Sequence, residues 1–272
     1  MGTRKNVSSL TAAEKSAFVA AVKSLKAQTS GRNYDSFVRT HMTYFSTVSN
    51  HRYAHQSPSF LPWHRQYLLD FENALKAINP AVDLPYWDWT VDRTTTGTPF
   101  TADFMGGNGQ NGNGPVTTGP FAGSTNWRIN VSASTSTSLR RAMGGTLPTG
   151  TQVSQVLGVS TYDVSPWNSA SSSGMRNRME GWLTPNIHNA VHVWVGGHMA
   201  QTDSPNDPVF WLHHANIDRL WSQWQTRWGF DSARYLPGGG TTNVVDVTEV
   251  MQPFTGVTVA SVLDHRSRYT YA

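Results

Sequence analysis

The sequence predicts a mainly α-helical fold in a single domain spanning residues 1–272. Apolar residues recur at helical spacing in several separate segments, whereas the middle of the chain is rich in Gly, Ser, Thr, Asn and Pro. Alternating β-branched residues are confined to the end of the chain, so only a few short strands are expected. A chain of 272 residues can bury a sizeable core within one domain.

Two helices are predicted near the start. Residues 9–26 carry apolar side chains at helical spacing, and Thr11 and Glu14 have the spacing of a capping box. Residues 33–45 repeat the pattern and place His41 on the apolar face of the second helix. We therefore expect His41 to be buried.

A third helix is predicted in the segment HQSPSFLPWHRQYLLDFENALKAI, residues 55–78. Pro62 can begin a helix, which puts His64 in the first turn and leaves His55 in the preceding loop. The predicted inward face carries four side chains, namely Tyr67, Leu68, Phe71 and Leu75.

The rest of the chain is predicted to be loop, then helix, then short strands. Residues 90–173 indicate loops with few short elements. Helical patterning returns over 174–194, breaks at 196–197, where two glycines follow each other, and resumes over 209–228. The segment from residue 243 onward is expected to form short strands.

Composition excludes several classes of function. The 21 Lys and Arg exceed the 17 Asp and Glu by only +4 and are dispersed, so we expect neither a nucleic-acid nor a membrane partner. Zero cysteines exclude disulfides, thiolate ligands and thiol nucleophiles. The sequence shows no apolar run of about 20 residues and no Sec-type start, so we expect no export signal in this chain.

Histidine is the most informative residue type. Of ten histidines, six fall into two groups of three: His41, His55 and His64, then His188, His192 and His214. Two sets of imidazoles without any thiolate favour copper over structural zinc or iron–sulfur clusters. Histidines four apart on one helix face can share an ion, although an isolated pair with this spacing more often packs or is solvated.

A zinc peptidase is the direct competitor for the second group. Its H-E-x-x-H motif needs a Glu beside the first ligand as general base. Here HNAVH has Asn189 in that place. A carboxamide cannot take the proton from a zinc-bound water, so hydrolysis loses its main support.

Two longer patterns carry a family resemblance. The first combines His55, FLPWHR at 60–65, Leu68 and Glu72, and the second combines Asp207-Pro208, Phe210, His214 and Asp218. Both resemble the copper-binding patterns of tyrosinases. The similarity extends from RKNVSSLTAAEK through LPYWDWTVDR and YDVSPWNS to LDHRSRYTYA, and it is greatest to compact bacterial tyrosinases of the streptomycete type.

The resemblance implies a four-helix bundle with long loops that houses a type-3 dinuclear copper site. It implies that His41, His55 and His64 bind one ion, CuA, and that His188, His192 and His214 bind the other, CuB. Dioxygen would be held between the two copper ions as peroxide. The family pattern selects His214 from the adjacent pair and leaves His213 a supporting or packing role.

The resemblance also implies an activity, which is the o-hydroxylation of monophenols such as L-tyrosine and the oxidation of o-diphenols such as L-DOPA to o-quinones, for melanin formation. Glu180 and Asn189 match positions that, in some bacterial tyrosinases, are proposed to hold a water that takes the phenol proton. An exposed helical Glu and a packing amide are the plain alternatives. Val193, beside His192, is a candidate for substrate selectivity.

Alternatives remain within and outside this enzyme class. A catechol oxidase or an o-aminophenol oxidase would share the copper motifs. A haemocyanin-like oxygen carrier would block substrate access with a further domain, which we do not expect in this chain. The resemblance further implies a caddie protein that delivers copper and carries the export signal, so that the enzyme is secreted. A cytoplasmic location is the alternative.

Two acidic residues follow the copper motifs. Glu72 lies two turns after His64 and Asp218 one turn after His214. They are expected to orient neighbouring groups or to form ion pairs with Arg65 or Arg219.

Overall fold

A computed structural model describes residues 2–235, 237 and 241–272. Its helices and strands, in chain order, are β1 (Gly2–Arg4), α1 (Ala12–Ala27), α2 (Tyr34–Phe45), α3 (Phe60–Ile78), α4 (Gly150–Leu157), α5 (Met175–Glu180), α6 (His188–Val195), α7 (Val209–Trp228), α8 (Val259–Val262) and β2 (Tyr269–Tyr271). The mainly helical fold is confirmed. No helix in these described ranges combines the length and the apolar character that crossing a membrane requires. The assignment of all 272 residues to one domain stays a prediction.

The predicted start of α1 is confirmed in atomic detail. The Thr11 side chain accepts a hydrogen bond from the Glu14 amide, and the Glu14 carboxylate accepts one from the Thr11 amide. Because both helix-end donors are satisfied reciprocally, the cap fixes the first turn. Helix α2 begins after Asn33, whose side chain accepts from the Ser36 amide.

The two longest helices, α3 and α7, pack against each other at the centre of the fold. The rings of Phe71 and Trp211 stack in parallel with centroids 3.6 Å apart. The Trp211 indole donates a hydrogen bond to the Tyr34 hydroxyl, which ties α2 to the same core. The predicted inward residues of α3 are all buried.

Helix α3 begins two residues earlier than predicted. It starts at Phe60, so His64 lies in the second turn and not in the first. The Phe60 amide donates to the Ser57 carbonyl and so opens the helix with a turn. Pro62 still lies within the first turn, where its missing N–H costs no intrahelical bond.

The predicted helix over 174–194 is in fact two helices. Gly181 ends α5 with a φ of 113°, and the Asn177 carbonyl accepts from the amides of Gly181 and Trp182. A Cβ on Gly181 would lie 2.8 Å from the Cβ of Asn189, so the turn requires glycine. The break therefore folds the end of α5 against the start of α6.

The prediction of short strands from residue 243 is mostly wrong. In the described chain this segment forms isolated bridges, such as Val250 with Thr258, the short helix α8 and the single strand β2. Strand β2 pairs in parallel with β1, with Gly2 opposite Tyr269. Alternation of β-branched residues alone does not supply a partner strand.

A buried ion network lies under this strand pair. Arg4 donates to Glu72 at 2.7 Å and to Asp218 at 3.2 Å, and Arg65 donates to Asp218 at 2.6 Å. The predicted pair of Asp218 with Arg65 is confirmed, whereas Glu72 pairs with Arg4 and not with Arg65 or Arg219. Burial alone would raise the pKa of Asp218, but Arg65 and Arg4 hold that pKa at about 2.

This network predicts that substituting Arg4 lowers the free energy of unfolding much more than substituting its neighbour Lys5. Arg4→Met would leave two buried carboxylates short of a partner, at a cost of about 3–5 kcal/mol in the free energy of unfolding. Lys5→Met breaks only the half-exposed pair with Glu14 and should cost less than about 1 kcal/mol. Urea unfolding of both variants measures the difference, and equal losses would contradict the assignment.

Candidate metal centre

The structure brings all six predicted histidines together. Four helices and one loop carry them: α2 holds His41, α3 holds His64, α6 holds His188 and His192, α7 holds His214, and His55 precedes α3. They form two clusters, in each of which the candidate ligand atoms lie within 4.8 Å of one another. The second cluster also includes His213.

In the first cluster the outer ring nitrogens are fixed by backbone carbonyls. Nδ1 of His41 lies 2.8 Å from the Thr202 carbonyl, and Nδ1 of His64 lies 2.9 Å from the Phe60 carbonyl. Because a carbonyl only accepts, each Nδ1 carries the proton and each Nε2 keeps its lone pair. Both Nε2 atoms are buried and have no hydrogen-bond partner in the described chain. The same is true of Nδ1 of His55.

In the second cluster, too, Nδ1 atoms donate to oxygens and leave the Nε2 lone pairs free. Nδ1 of His192 donates to the Met199 carbonyl at 2.6 Å, and Nδ1 of His188 donates to the Asn189 side-chain oxygen at 2.9 Å. The Nε2 atoms of His188 and His192 each lie 3.2 Å from Nε2 of His214. Two nitrogens bound at the usual distance to one tetrahedral ion lie about 3.3 Å apart. The cluster thus fits a metal ion.

His213 is excluded as a ligand by a residue that sequence reasoning did not connect to the site. The Trp89 indole donates to Nδ1 of His213 at 3.1 Å. An indole N–H can only donate, so the neutral His213 ring carries its proton on Nε2 and has no free lone pair. His213 instead stacks on His188, with centroids 5.2 Å apart.

Burial keeps these rings neutral at physiological pH. It lowers the pKa of His41 to about 3 and that of His192 to about 4, and it lowers the pKa values of His55, His64, His188 and His214 well below the usual range. A neutral imidazole is the form that binds a metal ion.

A cavity of about 350 Å³ opens over both clusters. Four of the six histidines line it, together with Phe45, Gln56, Glu180, Trp182, Asn189, Val193, Met199, Ala200, Gln201 and Ser204. The predicted residues Glu180, Asn189 and Val193 therefore share one cavity. Val193 is 69% exposed at the cavity mouth.

Glu180 is held from both sides. Its Oε1 accepts from the backbone N–H of Gln56 at 2.5 Å, and its Oε2 accepts from Arg176 at 2.9 Å. Arg176 also donates to Asp163 through two nitrogens. At 1% exposure Glu180 is not the exposed helical residue of the plain alternative. Burial raises the pKa of Glu180, against the lowering effect of Arg176.

Sequence reasoning missed these three partners of Glu180. Arg176 lies four residues before Glu180 on α5, and this spacing is a readable signal for a helical ion pair. Asp163 and Gln56 come from distant loops, and no local pattern connects them to the carboxylate.

Comparison with known proteins decides the family. The family described as "Common central domain of tyrosinase" matches residues 31–227. A tyrosinase of Streptomyces antibioticus is 53% identical over 277 aligned residues, covering 100% of this chain and 99% of that protein. The chain belongs to the tyrosinase family.

Other members of the tyrosinase family extend the comparison. A grixazone synthase of Streptomyces griseus is 39% identical, covering 98% of both proteins. The structure of a polyphenol oxidase mutant from Thermothelomyces thermophila has the same fold, with a TM-score of 0.75 at 23% identity over 100% of this chain and 89% of that one. The protein is thus a type-3 copper tyrosinase of the bacterial type, and its two histidine clusters are compatible with a dinuclear copper centre.

The Trp89 contact predicts different copper contents for two neighbouring variants. After copper loading and desalting, His214→Gln should retain about one copper per chain, because one cluster loses a ligand. His213→Gln should retain the full pair, because that ring offers no lone pair. Elemental analysis measures both, and loss of copper from His213→Gln alone would overturn the assignment.

The buried histidines also predict a pH dependence. The unfolded chain takes up a proton on His41 below about pH 6.5, whereas the folded chain does so only near pH 3. The copper-free protein should therefore lose stability as the pH falls, by about 2 kcal/mol at pH 5 from His41 alone.

Urea unfolding between pH 7 and 5 measures this slope. His41→Phe should make the slope shallower, whereas His51→Gln, outside both clusters, should leave that contribution in place. A slope that His41→Phe does not change would contradict the prediction.

Proposed function

We propose that this tyrosinase hydroxylates monophenols such as L-tyrosine and oxidises o-diphenols such as L-DOPA to o-quinones with dioxygen. The proposal takes His41, His55 and His64 as the CuA ligands and His188, His192 and His214 as the CuB ligands. The observation that carries the hydroxylation step is the position of Glu180 and Asn189 together in the cavity beside the second cluster.

Hydroxylation requires a proton acceptor for the phenol. A phenol has a pKa near 10, so only about one molecule in a thousand is ionised at pH 7. Glu180 is fixed by Arg176 and the Gln56 amide, so its carboxylate is already oriented when a phenol arrives. A water held on this carboxylate accepts the phenol proton.

Asn189 completes this proton-accepting group. Its side-chain oxygen is occupied by the Nδ1–H of His188, so its NH₂ group remains to donate to the water. The same bond holds the His188 ring with Nε2 toward the cluster. Bound copper supplies the binding and activation of dioxygen, and the bridging of that oxygen as peroxide stays a prediction.

A second candidate is an oxidase that acts on catechols or o-aminophenols without hydroxylating monophenols. Both oxygens of Glu180 are already engaged, which lowers their power to accept a further proton. A full-length relative named grixazone synthase shows that the family includes proteins with other names. A haemocyanin-like carrier receives no such support, because full-length relatives at about half identity are named tyrosinases.

We also propose that a caddie protein delivers copper and provides the export signal, and that the product quinones lead to melanin. Exposed apolar side chains at the cavity mouth support a protein partner there: Trp182 is 43% exposed and Val193 is 69% exposed. Secretion through such a partner is the proposed location.

Oxygen uptake by the copper-loaded enzyme tests the hydroxylation step. Asn189→Leu should lower kcat/KM for L-tyrosine by about a hundredfold, the scale of general acid–base catalysis. It should leave kcat/KM for L-DOPA within about threefold, because Nδ1 of His188 keeps the Glu180 carbonyl, 3.2 Å away, as an acceptor. Gln201→Leu, an amide elsewhere in the same cavity, should affect neither substrate by more than a small factor.

Equal losses on both substrates would remove Asn189 from the proton-accepting group. Uptake by the wild-type enzyme with L-DOPA or o-aminophenol but not with L-tyrosine would establish the oxidase instead.

A further inference from the structure

A second cavity, of about 240 Å³, adjoins the dicopper cavity. Gln56 lines both, so the two spaces share this residue as part of their walls. Three loop segments, 47–57, 166–168 and 242–244, supply its lining. We name it the Arg52 cavity, after the only charged side chain among the described residues that line it.

Arg52 is a half-buried cation without a partner. In the described ranges its guanidinium has neither a hydrogen-bond acceptor nor a carboxylate within salt-bridge distance, whereas buried Arg4, Arg65, Arg141 and Arg176 all bind carboxylates. A guanidinium offers five N–H donors in a planar fork that matches a carboxylate. The unpaired fork is therefore suited to an anionic ligand.

The rest of the Arg52 cavity is neutral and polar. The described residues of its lining include amides and hydroxyls but no Asp or Glu. The Asn168 side-chain oxygen accepts from the Ala170 amide, which leaves the Asn168 NH₂ group to donate. Hydrogen-bond donors around one cation, with no competing acid, favour a small carboxylate.

The backbone of this cavity is unusual. Four of the seven described non-glycine residues with positive φ line it: Asn50, Gln56, Trp167 and Asn243. Asparagine tolerates this conformation, but Trp167 at φ 61° and Gln56 at φ 54° are uncommon there. Such conformations concentrate at ligand sites, where the surrounding structure enforces them.

We infer that the Arg52 cavity binds the carboxylate of a phenolic substrate whose ring occupies the dicopper cavity. The inference rests on the proposed function. Among the described residues, the lining of the dicopper cavity includes the carboxylate of Glu180 and no Lys or Arg, so it offers a substrate carboxylate no cationic partner. Arg52 supplies that charge from the adjoining space.

Kinetics on paired substrates tests the inference. The substrates are ω-(4-hydroxyphenyl)alkanoic acids with two to five methylene groups, each compared with its amide. Arg52→Gln should lower kcat/KM for at least one acid about tenfold and leave its amide unchanged, since one charge-assisted contact is lost. Arg52→Lys should recover part of the loss.

Arg128→Gln is the matched control, because Arg128 is exposed and lies outside both cavities. It removes the same charge and should change neither acid nor amide. Equal losses on acids and amides in Arg52→Gln, or no loss on any acid, would overturn the inference.

Binding to the copper-free protein separates this inference from the proposed function. Calorimetry with ω-phenylalkanoic acids, which lack the reacting hydroxyl, should show about tenfold weaker binding to Arg52→Gln than to the wild type, and no such change for the amides. If this difference appears while no phenol or catechol is oxidised, the proposed function fails and the carboxylate site stands. If phenols are oxidised and Arg52→Gln binds the acids as the wild type does, the carboxylate site fails.

Discussion

The rest of the structure depends on the close packing of six largely buried, neutral imidazoles. Three Nε2 atoms of the second cluster converge at 3.2 Å, and two of them are acceptors because their Nδ1 atoms donate elsewhere. A metal ion requires lone pairs directed at one point, so the fold presents two of them already oriented.

Backbone carbonyls orient three of the six candidate ligand rings. The carbonyls of Thr202, Phe60 and Met199 each accept from one ring, so the chain path sets the orientation of three rings. The His188 ring is instead held by its nearer acceptor, the side-chain oxygen of Asn189. Helices α3 and α7 hold the remaining geometry through the stacked rings of Phe71 and Trp211. Farther out, Arg4 of β1 pairs with Glu72 and Asp218 in the middle of the same two helices, which ties them to the strand pair. Arg65 of α3 pairs with Asp218 of α7 and joins the two helices to each other.

Sequence patterns predicted those features of the fold that depend on residues close together in the chain. The capping box of α1 and the buried face of α3 follow from spacings of fewer than about eight residues. The bounds of α7 follow from a longer run of apolar residues at helical spacing, and the two histidine groups follow from longer patterns that resemble those of tyrosinases. The partners that select tautomers could not be predicted, because Trp89 and His213 are 124 residues apart. Arg52 was also missed, since an unpaired charge is visible only when its surroundings are known. Of the strands expected from residue 243 onward only β2 forms in the described chain, because pairing depends on a distant partner.

The glycine between α5 and α6, Gly181, affects the group that accepts the phenol proton separately from the metal content of the enzyme. None of the candidate copper ligands lies in that turn, yet a Cβ there would press on Asn189 at 2.8 Å and on the Asn186 side chain at 2.4 Å. A larger residue at this one position would displace the Asn189 amide, whereas Nδ1 of His188 would keep the Glu180 carbonyl, 3.2 Å away, as its acceptor. Natural variation at Gly181 would thus change what the centre does to a phenol without changing how much metal it holds.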